Sequence, residues 1–523
     1  MADSELKDSV LFNLVKCYRI HLFIVNKEVN LEMRALIIDL NNFSRYPTLS
    51  VGYLAAALRN HDVKVDVLSP FSKGISGYPR LVQARRRELY YNYLKHWSAV
   101  TPNKLLKKLR AVIKNLHHSK GNDDKKIILD YLQQFLAQKP DVVLISAYTM
   151  YFDVCQDICK VCSELGIPVI VGGSAFVEVK IARLWSSILG VSAVYAGEPE
   201  LDLMDIIIDI VAGKDVRQYP GMYNQSSEVI TLAPPLTALD DISFPDFSDF
   251  PWDLYPNWVI PLMTGRGCKW DICTFCSDVS TASGRSFRSR KIESVINEMK
   301  YQSSRFNANL FAFLDLKLNS DLPLWRGLIS QIPQAVPKAQ WTASIHIDTR
   351  IDNGLSREDL LRARDSGLVR ITCGLESASP RILKLMAKGT KVKRLSQFLK
   401  DAHEAKISVR MTSIIGYPGE EAEDIDLTTD FIEEHGDYIE RIVLNRFTLM
   451  PNTPIERRLK SQGHDFSYIQ VNELDLHTGT IPHVNQRLGT KKYYAAAFRL
   501  MKAIHKINKN PIRNSAREFE GVM

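Results

Sequence analysis

Three cysteines, Cys268, Cys273 and Cys276, stand within nine residues in the stretch Gly265-Arg266-Gly267-Cys268-Lys269-Trp270-Asp271-Ile272-Cys273-Thr274-Phe275-Cys276. Three thiolates on one loop can each hold one iron of a four-iron cluster and leave the fourth iron open to a ligand. A zinc loop would need a fourth Cys or His close by, and none follows in the neighbouring sequence. Just before the loop, the apolar run Trp258-Val259-Ile260-Pro261-Leu262-Met263 reads as a buried strand. Gly265 and Gly267 then let the backbone turn sharply out of it.

A second trio, Cys155, Cys159 and Cys162, sits at i, i+4 and i+7 in a segment without Gly or Pro, so all three share one helix face. Val154, Ile158 and Val161 form an adjacent apolar stripe. Buried cysteine behaves as a small hydrophobe, and these three read as core packing.

The elements that must position these residues are legible in the apolar pattern. Strands are expected at 34–39, 63–68, 141–146, 167–171 and 194–196, with a helix over Leu49–Leu58. Near-continuous apolar strands alternating with helices predict a doubly wound, Rossmann-like parallel sheet over residues 33–230. Ligands of such sheets sit beyond the carboxyl ends of the strands. Those ends carry Asn41 and Asn42, Ser146 with Thr149, Gly172-Gly173-Ser174, and Gly197-Glu198-Pro199-Glu200. They are small, polar and glycine-rich, as a ligand approaching the backbone requires. Within this domain, 72–130 is a basic, aromatic insert with Leu105, Leu109, Val112, Ile113 and Leu116 at helical intervals. It reads as a solvated helical cover over one end of the sheet.

Residues 231–257, rich in Pro and Asp with scattered aromatics, read as an ordered linker. From the cysteine strand onward, strands at 309–315, 340–345, 369–375, 408–415 and 441–447 alternate with amphipathic helices. Six βα units predict a partial (β/α)6 barrel over 258–455 with its site at the strand carboxyl ends. Gly374-Leu375-Glu376-Ser377 offers a carboxylate and a hydroxyl there, and Ile415-Gly416-Tyr417-Pro418-Gly419-Glu420 a turn and a second carboxylate. Arg410 precedes that turn, and Asp315, Asn319 and His346 stand at other strand ends, as ready for a structural role as for a ligand. Cys373 reads as core. Residues 456–523 predict a helical region, with a helix near 491–508, that closes the open end of the barrel, and 1–32 read as an extension.

Composition sets the frame. The chain has 523 residues, 45% hydrophobic and 24% charged, with eight cysteines and a net charge of +8. That is ordinary for a globular protein, is mild in charge, and gives no argument for nucleic acid. No apolar run of eighteen residues and no signal-peptide core is present, so no membrane association and a cytoplasmic, reducing setting are expected.

The cysteine loop resembles that of the radical S-adenosylmethionine (SAM) enzymes, down to Phe275 before the last cysteine. The family spacing is C-x3-C-x2-C, which the 155–162 helix matches and the loop, at C-x4-C-x2-C, does not. The Gly-Cys-x-Trp-x-x-Cys-x-Phe-Cys form is similar to a variant among cobalamin-associated members. Downstream, G-L-E-S followed by Ser379-Pro380 and then the I-x-G-x-P-G-E turn come in the order of the radical SAM barrel. Residues 33–225 resemble the cobalamin-binding domain that precedes such barrels. Where cobalamin domains that supply an axial histidine carry D-x-H-x-x-G, this chain reads Asp39-Leu40-Asn41-Asn42-Phe43-Ser44.

The resemblance implies a [4Fe-4S] cluster on Cys268, Cys273 and Cys276. It places SAM against Phe275, Glu376, Ser377, Arg410, Ile415 and Tyr417. It places cobalamin against Asn41, Asn42, Ser146, Thr149, Gly172, Gly173, Ser174, Gly197, Glu198 and Glu200. The implied activity is a radical methyl transfer to an unactivated carbon of a small-molecule or peptide substrate, with electrons from a flavodoxin or ferredoxin. A non-methylating rearrangement on the same architecture and an inactive cofactor-binding module are the competing readings. A methylthiotransferase is disfavoured, because the N-terminal domain has no loop cysteines for a second cluster.

Overall fold

The computed structural model describes residues 33–41, 45–75, 77, 82–85, 87–100, 105, 124–228, 231–277, 287–461 and 466–522. The apolar runs of the first half become β1 (Arg34–Asp39), β2 (Lys64–Leu68), β3 (Val142–Ser146), β4 (Val169–Gly172) and β5 (Val191–Tyr195). They lie in the order β2-β1-β3-β4-β5, all parallel. A two-residue strand, β6 (Met222–Tyr223), pairs antiparallel with β5 at the edge; it is too short for any period to reveal. Helix Phe152–Glu164 carries Cys155, Cys159 and Cys162 into the core of this domain.

The second sheet is β7 (Val259–Leu262), β10 (Leu310–Phe313), β11 (Gln340–Ile345), β12 (Leu368–Glu376), β13 (Ser408–Ile415) and β14 (Arg441–Arg446). Every pair is parallel and the strands follow one another in chain order, the winding of a partial α/β barrel. Between β7 and β10, β8 (Gly265–Arg266) and β9 (Arg288–Ser289) form a separate antiparallel pair at the barrel mouth. Helix starts follow local chemistry: Ser379 accepts from Ile382 N with Pro380 in the first turn, so the Ser-Pro after G-L-E-S is a helix cap.

One core runs through both domains. The linker holds them together with buried Phe247, Phe250, Trp252 and Tyr255, and Arg59 pairs with Asp246 at 2.8 Å. A Cβ on Gly52 would sit 2.4 Å from the Phe247 ring, so the first helix needs glycine where the linker crosses it.

The C-terminal region does two jobs. Asn508 at the end of helix Lys491–Asn508 accepts from Ile442 N and donates to Ile442 O, both at 2.8 Å, closing the free edge of β14. Beyond it, Phe519 and Val522 fill the amino-terminal end of the barrel against Val259, Leu310, Ala312 and Val369. The insert divides in two: its end, with Ile128 in the core of the first domain, covers that sheet as expected, and one helix does not. Helix Glu88–Val100 packs on helix Lys491–Asn508, with Tyr93 edge-on to Phe498 at 4.8 Å, and so lies beside the barrel rather than over the first sheet. Most of the periodic stretch 105–116 lies outside the described residues.

Phe519→Ala should therefore lower stability by about 3–5 kcal/mol, read by calorimetry as a lower unfolding midpoint. An unchanged midpoint would show that this residue does not plug the barrel.

Candidate active site at the barrel mouth

The cysteine loop is pinned at three places. At its start, Thr264 N and Oγ1 and Gly265 N donate to the Asp315 carboxylate at 3.1, 2.7 and 2.9 Å. Burial pushes Asp315 up to about 6, against the pull of those donors. In the middle, the Trp270 indole stacks on His346 at 5.5 Å and donates to Ala387 O at 3.0 Å. A Cβ on Gly389, which has φ +68°, would come within 1.9 Å of that indole, so only glycine fits. At the end, Thr274 N donates to Met386 O, and its hydroxyl lies 2.7 Å from Tyr417 Oη.

Cys268, Cys273 and Cys276 are half-buried on this loop. Burial pushes the Cys268 and Cys273 thiols up, and Lys388 and Lys317 act in the opposite direction. Among the described residues no three His, Cys, Asp or Glu side chains are placed to share one metal ion; a cluster instead gives each thiolate its own iron.

Glu376 ends β12 at a bulge in the β12–β13 register, with φ +55°. That conformation is uncommon for a glutamate and costs on the order of 1–3 kcal/mol. It is held by Ser413 Oγ donating to Glu376 O at 3.0 Å, Thr412 Oγ1 donating to Oε1 at 3.1 Å, and Lys388 Nζ donating to Oε1 at 3.0 Å. Arg410 is half-buried and shares the β13 face of Thr412 by the two-residue period.

Other expected ligand residues turn inward. Ser377 is fully buried, its hydroxyl 3.2 Å from Thr428 Oγ1 and accepting from Ser379 N. Ile415 is buried against the main core but also lines a cavity of about 400 Å³ beside β14, with Leu444 and Arg446. Tyr417 is buried and supports the cysteine loop through Thr274. Glu420, expected to offer a carboxylate at the strand end, is folded back to accept from Gly416 N at 2.6 Å, and burial pushes it up to about 8. Asn319 staples the loop after β11, accepting from His346 N and donating to His346 O and Asn353 O. Burial, with Lys388 and Lys317 nearby, pushes His346 down to about 2, so its ring is neutral.

At the carboxyl end of the first sheet, Asn41, Ser146, Gly172, Gly173 and Ser174 line a cavity of about 360 Å³, together with Gly197, Glu198 and Glu200. Asn41 donates to Ser146 Oγ at 3.2 Å; Asn42 lies outside the described residues. Thr149 does not line the cavity and is buried beneath Gly479 of the C-terminal region.

Glu198 and Glu200 have a second role that the sequence hid. Arg266, two residues before Cys268, pairs with Glu200 at 2.5 Å and Glu198 at 3.4 Å, and Arg288 pairs with Glu198 at 2.7 Å. Burial opposes charge on Glu198, but the Arg288 hydrogen bond, Arg266 and the Leu236 amide outweigh it and hold its carboxyl below the usual range. Arg266 also lines the cavity, so the cavity and the cysteine loop share a wall. The roles of Lys317, Lys388, Arg266 and Arg288 were not legible in sequence, because each is defined by a partner on another element, 12 to 90 residues away.

Residues 262–432 match the family model described as the radical SAM superfamily. The barrel is a radical SAM domain. The chain is 26% identical over 303 residues to an uncharacterized methyltransferase of Pyrococcus horikoshii, covering 56% of this chain and 64% of that protein. It is 27% identical over 332 residues to the bacteriochlorophyllide d C-12(1)-methyltransferase of Chlorobaculum tepidum, covering 63% and 68%. In fold it matches the radical SAM methyltransferase TsrM of Kitasatospora setae, solved with cobalamin and a [4Fe-4S] cluster bound. The TM-score is 0.65 over 91% of both chains at 15% identity. That likeness assigns the two-part fold, a parallel Rossmann-like sheet ahead of a radical SAM barrel. No helix among the described residues is long and apolar enough to cross a membrane.

Two outcomes follow. Replacing Cys268, Cys273 and Cys276 with Ala should abolish iron binding, while replacing Cys155, Cys159 and Cys162 should leave it intact. Iron analysis after anaerobic reconstitution decides between them. Glu420 holds its proton more tightly when folded, so its contribution is full below the ordinary 4.5 and is lost as pH rises to about 8, at ~1.4 kcal/mol per unit. Glu420→Gln should flatten this decline in denaturation midpoints measured from pH 5 to 9.

Proposed function

We propose that this protein is a cobalamin-dependent radical SAM methyltransferase that methylates an unactivated carbon of a natural-product or peptide substrate. The observation that carries the reading is Arg266: it stands two residues from the first cluster cysteine and lines the cavity of the other domain. Two cofactor sites with a common wall can act on one substrate.

The [4Fe-4S] cluster, SAM and cobalamin together supply, when bound, a 5′-deoxyadenosyl radical and a transferable methyl group. Cys268, Cys273 and Cys276 would hold three irons. Glu376, fixed by Lys388 and Thr412 at the end of β12, would accept the amino group of SAM, and Arg410 would take an anionic or hydroxyl group beside it. Ser377 and Tyr417 act behind this surface, holding its backbone and the cysteine loop, and Ile415 lines the cavity beside β14.

The lining of the cavity suits a corrin, a broad apolar disc rimmed by amides. It has apolar walls from Leu144, Ile170 and Leu203 and polar edges from Asn41, Ser146 and Ser174. A Cβ on Gly172 would meet nothing nearer than Tyr195 O at 4.0 Å, so the backbone there leaves room for a ligand. No histidine is among the lining residues, and an imidazole on cobalt is not part of this reading. A flavodoxin or ferredoxin would deliver the electron, and the need for reduced thiols supports a cytoplasmic setting.

The test uses the full chain purified without oxygen and reconstituted with iron, sulfide and hydroxocobalamin. About four irons and one cobalt per chain are expected, with both 5′-deoxyadenosine and S-adenosylhomocysteine formed on turnover. Gly172→Ala should lose cobalt and keep iron, since the protein has space for a Cβ there and the ligand does not. Cobalt bound with 5′-deoxyadenosine but no S-adenosylhomocysteine would replace methyl transfer with rearrangement. No cobalt in the wild type would remove the cobalamin reading.

A further inference from the structure

Two lysine ammonium groups are buried against the cysteine loop, one on each of its aromatic rings. Lys317 Nζ lies 5.9 Å from the Trp270 ring centroid, and Lys388 Nζ lies 5.9 Å from that of Phe275. Trp270 follows Cys268 by two residues, and Phe275 directly precedes Cys276. Lys317 is 3% exposed and Lys388 8%. Each brings a counterion from a different strand end: Asp348 at 2.6 Å for Lys317 and Glu376 at 3.0 Å for Lys388. Asp348 is itself fixed by Arg350 Nε at 3.0 Å.

Fold stability does not account for this arrangement. Burying an ammonium group costs desolvation and rotamer entropy that one ion pair barely offsets, and a methionine of similar length would fill the same space. Two such groups, from different loops, on the same nine residues call for a negative charge between them. Cys268, Cys273 and Cys276 would supply that charge as cluster-bound thiolates, and it would grow by one when an electron enters the cluster; both lysines already act on Cys268 and Cys273. Coulomb stabilisation of that extra charge is strongest where water is excluded.

Resting on the radical SAM reading of the loop, we propose that Lys317 and Lys388 are positioning residues for cluster charge. Their ammonium groups flank the thiolates, stabilise the one-electron-reduced state, and hold its reduction potential within reach of a flavodoxin- or ferredoxin-type donor.

The test compares wild type, Lys317→Met, Lys388→Met, the double methionine variant and Lys388→Arg, each full-length and reconstituted with iron and sulfide under argon. Iron is counted, and the midpoint potential is read by electron paramagnetic resonance during a redox titration. The expected result is full iron occupancy, a more negative midpoint in each methionine variant, a larger shift in the double variant, and a value near wild type for Lys388→Arg. Iron lost from Lys388→Met but kept by Lys388→Arg also supports a charge role. An unchanged midpoint in iron-replete methionine variants overturns the proposal, as does iron loss from Lys388→Arg. A wild-type chain that binds no iron overturns the cluster reading beneath it, a different result from a cluster that ignores its lysines.

Discussion

The arrangement rests on a buried charge cluster between the domains. Arg266 and Arg288 leave the barrel mouth and meet Glu198 and Glu200 at the end of the first sheet, each side chain at most 15% exposed. Two cations and two carboxylates balance in number, and each guanidinium finds an oxygen in hydrogen-bonding range. Removing one member leaves a buried charge without its partner, which costs far more than the complete cluster contributes. Its value is positional. Because Arg266 belongs to the strand that enters the cysteine loop, the register of that loop is tied to the wall of the neighbouring cavity.

The same logic applies one strand over. Glu376 adopts a backbone conformation that a glutamate avoids, and two donors from β13 together with Lys388, from the segment after β12, compensate for it. Such strain persists only where surrounding contacts over-determine it, and it is found at sites that must present a group in a fixed direction. Trp270, clamped between His346 and Gly389, applies the same principle to the cysteine loop. The site is built of groups whose freedom has been removed before any ligand arrives.

Much of this was legible in sequence, for a physical reason. A parallel strand buried on both faces is a short apolar run closed by glycine or a polar residue, so Arg34–Asp39, Gln340–Ile345 and Ser408–Ile415 could be read directly. The cysteine loop is local chemistry and local in chain. What could not be read is orientation at the strand ends. Ser377 and Glu376 are neighbours, yet the bulge sends one carboxylate toward Lys388 and the next hydroxyl back to Thr428. Glu420 looked like a ligand and is a buried brace on Gly416. Glu198 and Glu200 lie in the cavity wall as expected, but their cationic partners are 66 and 90 residues away, a separation that no periodicity spans.

The long-range contacts also explain why the two halves act as one body. The linker aromatics lie in a core shared by both domains, and the Asn508 cap on β14 and the Phe519 plug draw the chain's last residues back to the barrel sheet. His477 packs on Phe152 of the first domain at 5.0 Å, so the C-terminal region also bridges the two domains. A junction closed by both apolar contact and paired charge resists hinge motion, since opening it would expose both kinds of surface together. The activity proposed above, with two cofactors facing one substrate, would need that rigidity, because a displacement of about 1 Å at such a site costs on the order of a hundredfold in rate. The fold meets that need by distributing the constraint over the whole chain.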